Sequence, residues 1–150
     1  MPGFHDMTHE GTAENIKRFG RSVICVSPGE DDDGWPFAYT IGNHIKRLPE
    51  LLVIGTSQGS FLNDLSQMMI KTGRPFLNGQ LVRLEGARAP IRIIRANGAA
   101  QADYTIQAGE YFGHQGYAVM QVLIPDDAGR FAGEDGCQPP YSLYPLLRVD

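Results

Sequence analysis

Side chains able to do chemistry gather in two stretches of this sequence. The first holds Tyr39, Thr40, Gly42, Asn43, His44, Lys46, Arg47 and Glu50. A histidine titrates near neutral pH, so His44 could take or give a proton, and Glu50 could orient it or bind a cation. The second stretch carries Glu110 and His114, then Gln121, then Asp126, Asp127 and Arg130. Gln121 stands inside the apolar run 119–124, where a buried amide must find a partner. Both stretches have a structural reading beside the chemical one. Thr40 and Glu50 could satisfy buried backbone groups, and Gln121 could cap a sheet through hydrogen bonds. The candidate ligand-binding set is Tyr39, Thr40, Gly42, His44, Glu50, Gln121, Asp126 and Arg130, and no residue is assigned a catalytic role.

Established signatures are missing. The sequence has no G-x-S-x-G elbow, no phosphate-binding G-x-x-x-x-G-K-S/T, no H-E-x-x-H and no C-x-x-C. The acidic run Glu30, Asp31, Asp32, Asp33 lacks the alternating spacing and distant glutamate of a calcium loop, and reads as a solvated turn. His5 and His9 fall where no apolar period supports a helix. A metal-dependent hydrolase built on His44, Glu50 and His114 would need three ligands to converge from distant parts of the chain. No metal site is assigned and the cofactor is left open. A flavin is the one considered, because small barrels of short strands can hold one.

The elements that must position these groups follow from periodicity and punctuation. Residues 1–11 carry no apolar period and are expected to be a flexible arm. A short helix is expected from Thr12, as cap, to Phe19, with Gly20 as its stop. Residues 22–27 read as a strand. Residues 35–42 alternate large and small side chains, a period of two that predicts a strand with one small face. Pro36 places a free flank near that strand's start. The continuous apolar run 51–55 predicts a central strand covered on both faces. Helical spacing of Phe61, Leu62, Leu65, Met68 and Met69 predicts a helix after Ser60, stopped by Gly73 and Pro75. Strands are expected over 80–85, 91–96 and 119–124, with the arginines at 83, 88, 92 and 95 facing solvent, and a helix over 102–112. The tail from Asp126 is expected to be coil wrapped over the body. Because strands and helices do not alternate regularly, the expected class is α+β, with a mostly antiparallel sheet of about six short strands and two or three helices.

Composition narrows the classes of function. A length of 150 residues with 42% apolar and 20% charged side chains suits one domain with its own core, here 12–150 after the arm. The formal charge of −4 offers no electrostatic footprint for phosphate backbones or anionic lipid, so neither nucleic acid nor a membrane is expected as a partner. No apolar run is long enough to span a bilayer and the first ten residues do not read as a signal peptide, so the protein is expected in the cytoplasm. Cys25 in an apolar run and Cys137 in a Gly/Pro-rich tail are expected to be reduced and mainly structural.

The stretch P-F-A-Y-T-I-G, then P-E-L-L-V-I-G, then M-Q-V-L-I-P-D-D-A-G-R-F resembles the mainly bacterial family called domain of unknown function 4262. The resemblance runs from about Asn15 to Leu147. It implies a compact stand-alone α+β domain without an assigned activity. The matching residues are Phe37, Tyr39, Thr40, Gly42, Pro49, Glu50, Gln121, Pro125, Asp126, Gly129, Arg130 and Phe131. The chain departs from the family's pattern at Ala132 and Gly133, and His44 falls in a loop outside it.

Together these readings point to a cytoplasmic domain that binds a small molecule, as an enzyme or as a pure binding protein. Its pocket is expected near the 39–50 turn and the 121–130 segment. The competing reading is a non-enzymatic interaction or regulatory module, working as a homodimer or with another protein, with Tyr141, Tyr144 and Leu146 docking on the neighbour.

Overall fold

A computed structural model describes residues 2–29 and 34–149; the side chains of 2–10, including His5 and His9, and the acidic run at 30–33 lie outside what is described. Six strands form one sheet: β1 (Ser22–Val26), β2 (Phe37–Ile41), β3 (Glu50–Ile54), β4 (Gln80–Val82), β5 (Ile91–Arg95) and β6 (Val119–Leu123). Their spatial order is β1-β2-β3-β6-β5-β4, antiparallel throughout except for the parallel pair β3 and β6. With three helices, α1 (Pro2–Phe19), α2 (Phe61–Thr72) and α3 (Ile106–Phe112), the fold is α+β, as expected. No described helix is long and apolar enough to cross a membrane.

The apolar run of β3 lies in the interior of the sheet, buried at every position. On one face Leu51, Val53, Ile93 and Val122 pack under Leu62, Leu65 and Met69 of α2. On the other, Tyr39, Ile41, Leu52 and Val119 meet Ala108 of α3, Tyr117 and Leu147, with Ile16 of α1 alongside. Each fully buried side chain of this kind contributes about 1.5–3 kcal/mol. Gly73 ends α2, as expected, and does so in the left-handed conformation.

Several local expectations change. Helix α1 begins at Pro2, and Thr12 is a buried residue within it rather than its cap. An apolar period marks a packed face, not helicity itself, and proline is well suited to a first helical turn. The small face of β2 is not open to a ligand. Ala38 is wholly buried, and a Cβ on Gly59 would stand 2.6 Å from that of Ala38, so the small side chains admit the turn leading into α2. The helix expected over 102–112 is split at Thr105 into a π-helical turn, Ala100–Tyr104, and α3, because the buried Thr105 hydroxyl bonds back to the Ala100 carbonyl at 3.0 Å and to Tyr117 Oη at 2.7 Å. Cys25 is exposed on edge strand β1 rather than buried, and both cysteines are free. Arg88 and Arg92 are not simply solvated. Arg88 donates to the carbonyls of Asp126 and Pro125 at 2.8 and 3.0 Å, and Arg92 lies over the Phe131 ring.

Candidate functional site

The first motif folds into a tight turn around one acid. Residues 43–46 form a 3-10 turn after β2, entered through Gly42 at φ 136, where a Cβ would stand 2.5 Å from the Gly20 carbonyl oxygen. Only glycine fits there. Successive backbone N–H groups of Gly42, Asn43 and His44 then donate to the Glu50 carboxylate at 3.0, 3.1 and 2.9 Å, and the Thr40 hydroxyl adds a fourth bond at 2.8 Å. An ionised carboxylate has about four acceptor positions, so none remains for a cation or for the His44 ring. Burial pushes the Glu50 pKa above its ordinary value, and the bonds from His44, Thr40, Gly42 and Asn43 pull it back only in part. Thr40 completes the staple by accepting the Leu51 N–H at 3.0 Å, while Asn43 ties the turn to Ser66 of α2 at 2.9 Å.

Tyr39 is spent on the other face of the sheet. Its hydroxyl accepts the Gln107 N–H at 3.1 Å, and burial pushes its phenol well above the ordinary range. The His44 ring leaves the turn and stands against Phe112 at 5.0 Å and His114 at 5.6 Å between centroids. His114 accepts the Gly116 N–H through Nδ1 at 2.9 Å. The two imidazoles do converge, but Glu50 meets only the backbone of His44. Among the described residues no group of three His, Cys, Asp or Glu side chains is arranged to hold a metal ion.

The second motif lies elsewhere. Parallel pairing sets Glu50 opposite Val119, so Asp126 and Arg130 fall beyond the far end of β6 and do not share a pocket with the 39–50 turn. Between these ends Gln121 clamps the tail, donating to the Pro145 carbonyl at 2.7 Å and accepting the Leu147 N–H at 2.8 Å. Asp126 organises the following loop: Oδ1 accepts the Ala128 and Arg130 N–H groups at 2.9 and 2.8 Å, and Oδ2 accepts that of Gln138 at 2.9 Å. Burial opposes its ionisation, yet the N–H groups of Arg130, Gln138 and Ala128 and the Arg130 guanidinium prevail and hold its carboxyl below the ordinary value.

What the Glu50 turn borders is a cleft of about 620 Å³ where β3 and β6 begin and β5 ends. Leu48, Pro49, Phe76 and Met120 supply apolar walls, and the polar lining is His44, Arg47, Arg95 and Gln101. Arg47 is held in the left-handed conformation, φ 62, at the end of the 3-10 turn, with its N–H bonded to the His44 carbonyl at 2.9 Å. Gln101 donates to the Tyr117 carbonyl at 2.7 Å, while its Oε1 is buried without a partner. Of the eight candidate binding residues only His44 lines this cleft. Arg95 is exposed, in line with its solvent-facing expectation, and the register Arg95 to Met120 also brings it to the edge of this cleft.

A helix layer on each face of a mixed sheet, with a basic cleft at one end of its strands, is the class that fold and site define. The chain belongs to the family described as Domain of unknown function (DUF4262), whose model matches residues 15–138. The match contains both motif stretches and stops short of Leu147, leaving the last part of the tail outside it. Curated proteins and solved structures give no match.

Proposed function

We propose that this chain is a small-molecule-binding domain whose ligand is a small anion with an apolar body, held in the cleft at the start of β3 and β6. The observation that carries this reading is the joint placement of Arg47, Arg95 and His44 around an apolar wall, with no acidic residue in the described lining. Guanidinium groups bind carboxylate and phosphate through paired N–H donors, and a cleft of this volume suits a small ligand. His44 is the one imidazole of the described lining and no carboxylate stands there to pair with it, so binding is favoured over multi-residue catalysis. The net charge of −4 argues against nucleic acid or an anionic membrane as the partner.

Thermal unfolding against a panel of carboxylates and phosphate esters with apolar substituents, at constant ionic strength, tests this. At least one compound should raise Tm in the wild type and lose its effect in Arg47→Ala/Arg95→Ala. A flat panel refutes it.

One observation favours a homodimeric module instead: Leu77, just before edge strand β4, and Leu81, within it, are 75% and 51% exposed. The tail rings first considered for that role are engaged within the chain, Tyr144 against Trp35 at 5.0 Å and Tyr141 at 5.8 Å. Light scattering on Leu81→Lys decides it, since a dimer through this edge would dissociate.

A further inference from the structure

Arg21, immediately before β1, is only 4% exposed. Its Nε and Nη2 are buried with no hydrogen-bond partner. Those two nitrogens form the edge of a guanidinium that forks onto an oxyanion, and leaving such donors unmade costs about 1–3 kcal/mol each. No described carboxylate forms an ion pair with Arg21; Glu50 acts on it only through its field, against the larger effect of burial. Arg21 also lines a groove of about 460 Å³ between α1, β1 and α2, together with the carboxamides of Asn15, Asn63 and Gln67. Asn15 already donates to Ser22 Oγ at 3.1 Å, which leaves Asn63 and Gln67 as the freer polar groups of the lining. None of the lining residues is acidic.

We propose that this groove is a second binding site, separate from the strand-end cleft, in which the Nε and Nη2 edge of Arg21 receives an oxyanion, a carboxylate or phosphate group of a small molecule. Both nitrogens are covered from solvent, so the groove opens locally for the oxyanion to reach them. Two unmet donors on a charged side chain then find acceptors in one step, and Asn63 and Gln67 supply N–H donors to the remaining oxygens.

The test uses acetate and inorganic phosphate as probes, with chloride at matched ionic strength as control. Titrations are made in the Arg47→Ala/Arg95→Ala protein, so that the strand-end cleft does not contribute. One probe should raise Tm in that background, and its identity distinguishes a carboxylate from a phosphate source. Adding Arg21→Met should leave the unliganded Tm equal or higher, because orphaned donors are removed, and should abolish the response. Gln67→Ala, on an exposed position, should weaken binding several-fold without changing the unliganded Tm. The proposal is overturned if neither probe acts, if the Arg21→Met protein responds as strongly as its parent, or if Arg21→Met markedly lowers Tm or prevents folding, as expected of a purely structural arginine. The cleft reading stands or falls separately, on the loss of its own ligand in Arg47→Ala/Arg95→Ala.

Discussion

The Glu50 carboxylate and the backbone N–H of His44 meet at 2.9 Å, so a wholly buried acid sets the position of the one motif residue whose ring reaches the cleft. Glu50→Gln keeps the shape but turns an amide NH₂ toward donors that need an oxygen. The loss should be about 2–4 kcal/mol by urea unfolding, because hydrogen bonds to a charged, buried acceptor are strong and expensive to leave unmade.

Glu50 and Asp126 should give stability opposite pH dependences. Burial raises the Glu50 pKa above 4.5, so its folded form binds the proton more tightly than its unfolded form. Its contribution is therefore present below 4.5 and is lost as pH rises through the folded value. Asp126 is held below its ordinary 3.8, so its contribution is present above 3.8 and is lost as pH falls through the folded value. Unfolding curves from pH 2 to 8 check both signs: Glu50→Gln should remove the decline on the rising side, and Asp126→Asn the one on the acid side.

Gly42→Ala should be more damaging than an ordinary turn substitution. With φ at 136 and the Gly20 carbonyl oxygen 2.5 Å from the new Cβ, neither the backbone nor its neighbour can yield cheaply. A loss of about 3 kcal/mol or more is expected in thermal unfolding.

Gln121→Ala should free the tail before it unfolds the sheet. The substitution leaves the Pro145 carbonyl and the buried Leu147 N–H unpartnered, at a cost of about 2–4 kcal/mol. Limited proteolysis should show earlier cleavage within 138–149 while the rest of the chain survives; unchanged cleavage would mean that the Tyr144 and Trp35 packing alone holds the tail.

Local pattern carried much of the fold. The run at 51–55 marks an interior strand because it is apolar at every position, and the spacing of Leu62, Leu65 and Met69 marks the buried face of α2. The motif acids were legible as important but not as staples, since only the turn's φ values reveal three N–H groups aimed at Glu50. Arg47 and Arg95 could not be joined from sequence. They stand 48 positions apart, and their meeting depends on β6 running parallel to β3 and antiparallel to β5, a choice of partners that no local period encodes. Thr105 escaped for a related reason: its hydroxyl breaks the helix only because Tyr117 returns to it from the segment just before β6.

The most direct test of the strand-end site is backbone amide NMR during titration with the compound that gives the largest Tm shift. Shifts should concentrate at His44, Arg47, Ala96, Gln101 and Val119 and disappear in Arg47→Ala/Arg95→Ala. A compound that binds while those amides stay still, or that moves them equally in the double variant, would contradict the cleft as the binding site.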